Sequence, residues 1–251
     1  GKTSPCAQAI INAKPAHVVV ACTDPDPRVN GNGLKMLRSA GIKVTLGVGQ
    51  EEALHINRGF FKRIQTNRPF VTLKAAISAD EKYAAGQGKP VWVTGNLAQN
   101  YVHLLRSRTD VLITGTGTIL ADNPQLNVRL NGLENTSPQI VVLGGRKIPP
   151  SSQKRLEPRL VNWISATATI PDALKMLGEK GINNVLVEAG PTLANAFINA
   201  GLVDELIIIQ SPKKLRQNGQ NYFNKNALQN FVQKNQTEIG QDLLKTYINK
   251  L

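Results

Sequence analysis

A glutamate followed by a glycine-proline turn is the first segment of this sequence whose residue types could do chemistry. Glu188-Ala-Gly-Pro-Thr-Leu193 comes directly after the apolar run at 184–187. Pro191 suits the first position of a helix, where its missing N–H costs no hydrogen bond, and Gly190 lets a ligand approach the backbone closely. The free amides and the dipole of such a helix start favour a phosphate group. An ordinary strand-to-helix turn has the same pattern, so both interpretations remain open at this point.

A second glycine-rich segment follows another predicted strand. Thr114-Gly-Thr-Gly-Thr118 could place backbone amides around a phosphate, although a glycine–x–glycine pair is also common in surface loops. Both segments therefore predict a ligand that carries phosphate, with an ordinary loop as the alternative in each case.

Length and composition favour a folded protein with a sizeable core. The chain has 251 residues, of which 41% are hydrophobic and 19% are charged, enough for one large core or two modest ones. The longest apolar runs are strand-sized, as at 18–22 and 206–209, whereas a membrane-spanning helix needs roughly 20 apolar residues. With Cys6 and Cys22 as the only cysteines, a disulfide framework is disfavoured and a reducing, cytoplasmic setting is expected.

The chain is strongly basic, with 30 Lys and Arg against 17 Asp and Glu and a formal net charge of +13. A nucleic-acid-binding protein would show such an excess because Lys and Arg neutralise phosphates. The positive residues are instead spread along the chain, and the sequence has neither an aromatic-interleaved basic patch nor a known binding motif. A basic surface that attracts phosphorylated small molecules explains the same excess. We therefore expect no nucleic-acid partner.

The elements that must position these segments alternate between short β-branched runs and helical stretches. This alternation is typical of an α/β fold with a mostly parallel sheet and helices on both sides. The first part predicts helices over 6–13 and 33–40 and strands over 17–22 and 42–48. A helix over 51–65 leads to a hinge at Arg68-Pro69. The predicted organisation is therefore a small αβαβ part at 1–50, a linker helix within 51–68 and a larger domain at 69–251.

The larger domain carries most of the predicted strands. Strands are expected over 70–76, 91–94, 111–114, 139–143, 184–187 and 205–210. Helices are expected over 97–108, 170–180 and 191–200. From Arg216 onward the sequence is rich in Asn, Gln and Lys, and we expect a loop followed by a terminal strand or helix.

Four motifs, in their order and spacing, resemble the reductase domain of the bifunctional riboflavin-biosynthesis deaminase/reductase family. They are Lys74-Ala-Ala-Ile-Ser-Ala-Asp80, Trp92-Val-Thr-Gly95, Thr116-Gly-Thr-Ile-Leu-Ala-Asp-Asn-Pro124 and Val187-Glu-Ala-Gly-Pro-Thr-Leu193. The resemblance implies a dihydrofolate-reductase-like fold and NADPH as the cofactor. It also implies that hydride is transferred to the sugar C1 of 5-amino-6-(5-phosphoribosylamino)uracil, a phosphorylated pyrimidine, and that the protein forms a homo-oligomer.

The resemblance also assigns roles to individual residues. It implies cofactor contacts for Ala76, Trp92, Thr118, Asp122, Gly190, Pro191, Thr192, Leu193, Ala194 and Asn195. It implies substrate contacts for Arg106, Leu126, Arg129 and Glu188, and it places Lys74 at the reacting sugar as the catalytic residue. Two arginines in one pocket suit a phosphate ester, because guanidinium forks bind its oxygens bidentately. The alternatives are a solvated surface position for each arginine, a strand-edge charge for Lys74 and core packing for Trp92.

The first residues resemble part of the same family's other domain. Gly1-Lys-Thr-Ser-Pro-Cys6 is similar to the end of the zinc motif of its deaminase domain, in which zinc activates a water and a glutamate shuttles protons. Cys6 matches one zinc ligand, and the other ligands would lie upstream of Gly1. We therefore expect an entire reductase behind half of a deaminase, with no zinc bound because one thiolate cannot complete a tetrahedral site.

Several positions depart from the family pattern. Pro90 replaces a small polar residue, Glu81 and Ala189 replace glycines, and Gly144-Gly145 replaces an Asp-Ser pair. Each lost hydrogen bond to a ligand weakens binding by roughly 0.5–1.5 kcal/mol, so a slow reductase or a non-catalytic homologue is an alternative. A related dihydrofolate-reductase-type oxidoreductase with another pterin-like or pyrimidine substrate is a further alternative, against which the similarity at 1–48 argues.

Overall fold

The structure is a computed structural model that describes residues 6–29, 31–84, 93–161 and 164–250. Its contacts divide the chain into two units, Gly1–Asn67 and Arg68–Leu251. Several residues of the sequence analysis lie outside the described residues. They are Gly1 to Pro5, Pro90 and Trp92, together with part of the strand expected at 91–94. The remaining two residues of that expected strand, Val93 and Thr94, are described and are not in a strand.

The first unit is a small αβαβ arrangement followed by two short helices. Its elements are α1 (Cys6–Ala13), β1 (His17–Val20), α2 (Asn32–Ser39), β2 (Lys43–Leu46), α3 (Gln50–Ile56) and α4 (Arg58–Thr66). Strands β1 and β2 pair in parallel, from His17 opposite Lys43 to Val20 opposite Leu46. A cluster of three buried residues, Ala7, Leu37 and Ile42, forms its core, which is small because the elements are short.

The prediction of a single helix over 51–65 is wrong, since two helices occupy this stretch. Asn57 lies between α3 and α4, and its side chain donates a hydrogen bond of 2.9 Å to the carbonyl of Ala53. Asparagine side chains compete with the helix ladder for backbone groups, which favours a helix end at this point.

The second unit is built on a seven-stranded sheet. Its elements are β3 (Phe70–Ile77), β4 (Lys82–Tyr83), α5 (Asn96–Ser107), β5 (Val111–Gly115), α6 (Thr116–Asp122), β6 (Gln139–Leu143), α7 (Pro150–Leu156), α8 (Ile170–Glu179), β7 (Asn184–Glu188), α9 (Pro191–Asn199), β8 (Glu205–Gln210), β9 (Gln220–Asn221), β10 (Phe231–Ile239) and β11 (Asp242–Asn249). The strand order is β10-β11-β8-β3-β7-β5-β6. Strands β8, β3, β7, β5 and β6 run parallel, and β11 and β10 are antiparallel, which agrees with the mostly parallel sheet expected from the sequence.

Three parts of this unit differ from the sequence expectation. The glycine-rich segment 114–118 is not a loop, because Thr116 begins α6 immediately after β5 ends at Gly115. Helix α7 was not expected. The polar C-terminal stretch forms the hairpin β10–β11, which turns at Gly240 with a φ of +67° and extends the sheet beyond β8.

Successive side chains along each strand point to opposite faces of the sheet, so the strands contribute to two apolar layers, one on each face. On the face covered by α8 and α9, β3 contributes Val71, Leu73, Ala75 and Ile77 to a cluster that includes Leu174, Leu177 and Phe197. The opposite face is covered by α5, α6 and α7, which pack through Ala98, Ile119 and Leu156 on residues such as Leu112, Ile140 and Ile207. Lys74 and Ala76 lie between the four core residues of β3, and therefore point to the α5–α7 face. None of the helices in the described ranges is both long enough and apolar enough to cross a membrane.

Phe197 offers a direct test of the α8/α9 layer because its side chain is fully buried on α9. Replacing it with alanine removes a large apolar side chain and leaves a cavity, which lowers the free energy of unfolding by about 3–5 kcal/mol. Urea denaturation followed by circular dichroism measures the change. Leu97→Ala serves as the control, because Leu97 is 57% exposed and its loss should change stability by less than about 0.5 kcal/mol. Equal effects of the two substitutions would contradict this packing.

Candidate functional site

A cavity of about 470 Å³ opens on the α5–α7 face, at the carboxyl ends of β3 and β7. Its volume lies in the range of about 300–1,000 Å³ that small-molecule sites occupy, and open α/β sheets bind ligands at this edge. The described residues that line it include Lys74, Ala76, Tyr83, Ala84, Gln99, His103, Arg106, Thr118, Asp122, Leu126, Arg129, Arg155, Glu188 and Ala189. The structure thus brings together Lys74, the four predicted substrate-contacting residues and three of the predicted cofactor-contacting residues, Ala76, Thr118 and Asp122.

A buried carboxylate between two cations forms the floor of this cavity. The parallel register places Lys74 of β3 directly opposite Glu188 of β7, so that both side chains lie on one face. Lys74 Nζ is 3.1 Å from Glu188 Oε2. Arg106 of α5 donates to the same carboxylate from Nε at 2.6 Å and from Nη2 at 3.0 Å. The three side chains are 15%, 8% and 10% exposed, in the order Lys74, Glu188 and Arg106, and we call them the Lys–Glu–Arg triad.

The two cations keep the carboxylate ionised. Burial by itself would raise the pKa of Glu188, but the charges of Arg106 and Lys74 and their hydrogen bonds outweigh it and lower the pKa to about 2. The triad therefore contains one negative and two positive charges at neutral pH. Its net positive charge faces the cavity, where it favours an anionic or electron-rich ligand.

One face of α5 carries the polar wall of the cavity. Gln99, Val102, His103 and Arg106 have the spacing i, i+3, i+4 and i+7, which places them on one side of a helix. The His103 ring is buried, with Nδ1 3.1 Å from the carbonyl of Asn127. Burial and the nearby charges of Arg106 and Arg129 lower its pKa, which favours a neutral ring at neutral pH. His103 was not among the predicted site residues, and the structure places it in the cavity wall.

Helix α6 and the turn before α9 are joined by one hydrogen bond. The backbone N–H of Gly190 donates to Thr118 Oγ1 at 3.1 Å. Thr118 and Asp122, one turn apart on α6, both face the cavity. The chain then leaves α6 through Asn123, with a φ of +42°, and reaches Leu126, which is buried against the cavity with a φ of +51°. These two left-handed residues redirect the segment so that Arg129 also reaches the cavity.

The turn predicted to contact the cofactor at 190–195 has a mainly structural role among the described residues. The Asn195 amide donates to the carbonyls of Pro191 and Tyr222, both at 2.7 Å, and its Oδ1 accepts from the N–H of Asn224 at 2.9 Å. Two further residues of the turn pack internally, Leu193 against Gly115 and Ala194 in the core. Pro191, Thr192, Leu193, Ala194 and Asn195 are not part of the described cavity lining. Their contact with a cofactor stays a prediction.

The structure accommodates the departures from the family pattern that it describes. Ala189 does not adopt a left-handed conformation, and its carbonyl accepts a hydrogen bond of 2.7 Å from the Tyr222 hydroxyl. Glu81 does adopt a positive φ of +57°, so a side chain occupies a conformation that favours glycine. At Gly144, with a φ of +118°, a Cβ atom would lie 2.6 Å from Thr116 Oγ1. A side chain at 144 would therefore require Thr116, at the start of α6, to move.

The side chains of the cavity wall that sequence reasoning missed include those of Tyr83, Gln99, His103 and Arg155. Gln99 and His103 could have been found from the sequence, because their spacing from Arg106 places all three on one face of α5. Tyr83 lies on β4, a two-residue strand that pairs with β9, and no local pattern indicates that contact. Burial, followed by the charge of Asp122, raises the pKa of Tyr83 to about 12, so its hydroxyl keeps its proton. Arg155 lies on α7, the helix that the sequence analysis did not find.

The described residues do not form a zinc site. Cys6, at the start of α1, is exposed, and no group of three or more His, Cys, Asp or Glu side chains suited to a metal ion occurs in these parts of the chain. The role of Cys6 as a zinc ligand stays a prediction that depends on other ligands.

Comparisons with known proteins agree on one family. Residues 69–245 match the family described as RibD C-terminal domain. The riboflavin biosynthesis protein RibD of Buchnera aphidicola subsp. Baizongia pistaciae is 34% identical, over 97% of this chain and 76% of the relative. The RibD protein of Escherichia coli K12 is 37% identical, over 86% of this chain and 68% of the relative.

Solved structures give the same result. The structure of Acinetobacter baumannii RibD matches with a TM-score of 0.87 and 33% identity, over 100% of this chain and 78% of that chain. A diaminohydroxyphosphoribosylaminopyrimidine deaminase/5-amino-6-(5-phosphoribosylamino)uracil reductase from Thermotoga maritima matches with a TM-score of 0.84 and 27% identity, over 99% and 76% of the two chains. These matches confirm the α/β fold with a mostly parallel sheet that the sequence predicted, and its dihydrofolate-reductase-like class.

The Lys–Glu–Arg triad predicts a distinctive pH dependence of stability. Replacing Glu188 with glutamine leaves two cations without a counter-charge, which lowers the free energy of unfolding by about 3–5 kcal/mol at pH 7. Since the pKa of Glu188 falls from its ordinary 4.5 to about 2 in the folded protein, its contribution is full above about pH 5 and is lost as the pH falls toward 2. The stability difference between the wild type and Glu188→Gln should therefore shrink between pH 5 and pH 2.

Urea unfolding of both proteins across this pH range measures that difference. Glu179→Gln is the matched control, because Glu179 is an exposed residue at the end of α8 and its substitution should change stability little at any pH. A difference for Glu188→Gln that is constant from pH 7 to pH 2 would contradict the lowered pKa.

Proposed function

The chain belongs to the RibD family of riboflavin-biosynthesis proteins, and on that premise we propose that it reduces 5-amino-6-(5-phosphoribosylamino)uracil with NADPH. The product is the corresponding ribitylamino compound. The observation that carries the proposal is the Lys–Glu–Arg triad on the floor of a cavity of suitable volume, with Arg129 in the same cavity. The triad supplies a fixed proton donor, and the arginine supplies a contact for an anionic substrate.

The residues of the cavity fit a nicotinamide cofactor. Ala76, Ala84 and Ala189 line it with short side chains, which leave room for a flat ring against the ends of the strands. Thr118 and Asp122 add a hydroxyl and a carboxylate on α6, suited to ribose hydroxyl groups. These residues would hold NADPH.

The reaction adds one hydride and one proton to the substrate. Bound NADPH would supply the hydride for C1 of the sugar. Lys74 is the group that can supply the proton, because its ammonium points into the cavity and is fixed by Glu188 at 3.1 Å. As the bond between C1 and the ring oxygen breaks, Lys74 Nζ protonates that oxygen and the open ribityl chain results. Glu188 orients the ammonium, and Arg106 holds the carboxylate in place.

The remaining polar side chains of the wall position the substrate. Arg129 is exposed to the cavity and Leu126 packs beside it, so that a charged contact and an apolar contact lie on one segment. The neutral His103 ring and the amide of Gln99 are suited to the polar edge of the pyrimidine. A protein that forms these contacts would bind the substrate in one orientation, which is most of what a hydride-transfer enzyme must provide.

Turnover and binding measurements together test this proposal. The wild-type chain should oxidise NADPH only when 5-amino-6-(5-phosphoribosylamino)uracil is present, and it should bind NADPH more tightly than NADH. Lys74→Met should lower kcat by about 10²–10⁴-fold, the usual contribution of a general acid, and should leave the Kd for NADPH within about twofold of the wild-type value. Absorbance at 340 nm follows turnover, and fluorescence titration gives the Kd.

Lys175→Met is the matched control, since Lys175 is exposed on α8, on the opposite face of the sheet, and should retain full activity. A wild-type chain that binds neither NADPH nor the substrate would contradict the proposal and would support a non-catalytic homologue. Full activity of Lys74→Met would contradict the role of Lys74 alone.

A further inference from the structure

The turn that follows β3 is built around the carboxylate of Asp80, which has no part in the proposed reaction. Asp80 Oδ1 accepts hydrogen bonds from Ser78 Oγ at 2.6 Å and from the backbone N–H of Leu215 at 2.9 Å. Its Oδ2 accepts a third, from the N–H of Arg216 at 2.8 Å. The bond from Ser78, followed by the one from Leu215, lowers the pKa of Asp80, because these bonds favour the charged carboxylate. Asp80 therefore joins the β3–β4 turn to a segment 135 positions later.

Close packing joins the same two segments around β4. The backbone N–H of Ala79 donates to the carbonyl of Lys213 at 2.8 Å. A Cβ atom added to Gly219 would lie 2.8 Å from Lys82 Cβ and 2.9 Å from Leu215 Cβ, so a side chain there would require one of the segments to move. Strands β4 and β9 have two residues each, too few for a stable pair on their own. The β4–β9 pair therefore depends on the contacts between these segments.

Strand β4 carries Tyr83, whose side chain lines the cavity. Tyr83 lies opposite Gln220 of β9. Its ring packs edge-on against the ring of Tyr222, with 5.8 Å between the centroids. Tyr222 is 1% exposed, and its hydroxyl donates to the carbonyl of Ala189 at 2.7 Å. The position of the Tyr83 hydroxyl is thus set by the β4–β9 pair and by a buried, hydrogen-bonded neighbour.

The Tyr83 hydroxyl lies among residues that are predicted to contact the cofactor. A Cβ atom added to Gly190 would be 3.8 Å from Tyr83 Oη and 3.9 Å from Thr118 Oγ1. Burial, followed by the charge of Asp122, raises the pKa of Tyr83 to about 12, so its hydroxyl is a donor at neutral pH. In the part of the chain that the structure describes, this hydroxyl has no hydrogen-bond partner. It can therefore donate to a ligand in the cavity.

We propose that Tyr83 donates a hydrogen bond to an acceptor oxygen of bound NADPH, and that Asp80 is the positioning residue that holds Tyr83 in place for this contact. The inference rests on the proposed function and adds two residues to it. Asp80 uses both carboxylate oxygens, whereas an asparagine would offer one oxygen and turn N–H donors toward the backbone N–H groups. Loss of the carboxylate therefore loosens the β4–β9 pair and, through it, displaces the Tyr83 hydroxyl.

A double-mutant cycle on the affinity for NADPH tests this coupling in the full chain. Isothermal titration calorimetry gives the Kd for the wild type, Tyr83→Phe, Asp80→Asn and the combined variant. Each single substitution should weaken binding by about threefold to tenfold, the value of one neutral hydrogen bond. The combined variant should bind no more than about twofold more weakly than Tyr83→Phe, because Asp80 acts through the hydroxyl that is already absent.

Asp110→Asn is the matched control for a general loss of stability. Asp110 Oδ2 also accepts two backbone N–H groups, from Asn183 at 3.0 Å and from Asn184 at 2.8 Å. It lies where β7 begins, at the opposite end of that strand from the cavity. Its substitution should leave the Kd within about twofold of the wild-type value, since it is distant from the site. A loss of affinity equal to that of Asp80→Asn would assign the effect to stability and overturn the inference.

Ser78→Ala is the second variant, used in the cycle if Asp80→Asn does not fold. It removes one donor to the carboxylate, and its smaller effect should likewise vanish when Tyr83→Phe is present. Losses that multiply in the combined variant, or a wild-type Kd for Tyr83→Phe, would overturn the inference and leave the proposed function intact. A wild-type chain that does not bind NADPH would contradict the proposed function itself.

Discussion

The buried carboxylate of Glu188 is the constraint on which the rest of this site depends. A charge removed from water is tolerated only when it is paired and hydrogen-bonded, and here Lys74 and Arg106 provide both. That requirement fixes the register of β3 against β7, because Lys74 must lie opposite Glu188. It also constrains α5, which carries Arg106 and packs on the same face of the sheet through Ala98. The geometry of the cavity floor is thus set by the same contacts that hold the sheet and the helix together.

The arginines of the cavity differ in whether they pair with the carboxylate of the triad. An arginine that neutralises a buried carboxylate cannot fully serve a second anion, since its donors are fixed in one plane. Arg106 is used in this way inside the protein, and the arginines that remain available, Arg129 and Arg155, come from irregular or short elements near the surface. The inner arginine therefore fixes the carboxylate that contacts Lys74, whereas the outer arginines are exposed in the cavity wall.

The sequence predicted the sheet well because its parallel strands are buried on both faces and appear as short apolar runs. The strands at 139–143 and 205–210 have the predicted ends. The triad was only half predictable. Lys74 lies within a predicted strand and Glu188 directly follows another, but the bond between Glu188 and Arg106 joins residues 82 positions apart, and no local spacing indicates it. The C-terminal hairpin was predicted only as a terminal strand or helix. Strand β10 is exposed along most of its length, so its side chains lack the apolar alternation that marks a half-buried strand.

Helix α7 shows why the outer part of the site was the hardest to predict. Only Ser152 and Leu156 of its seven residues are buried, which is too few to produce a helical period in the sequence. Its position depends on two tertiary contacts, one with Asn123 and one with the cluster around Leu126. Both partners lie in a segment whose direction is set by left-handed residues at 123 and 126, a conformation that sequence pattern alone does not reveal for Asn and Leu. The position of Arg155 in the cavity wall was therefore not predictable from the sequence, because the contacts that hold α7 in place exist only in the folded structure.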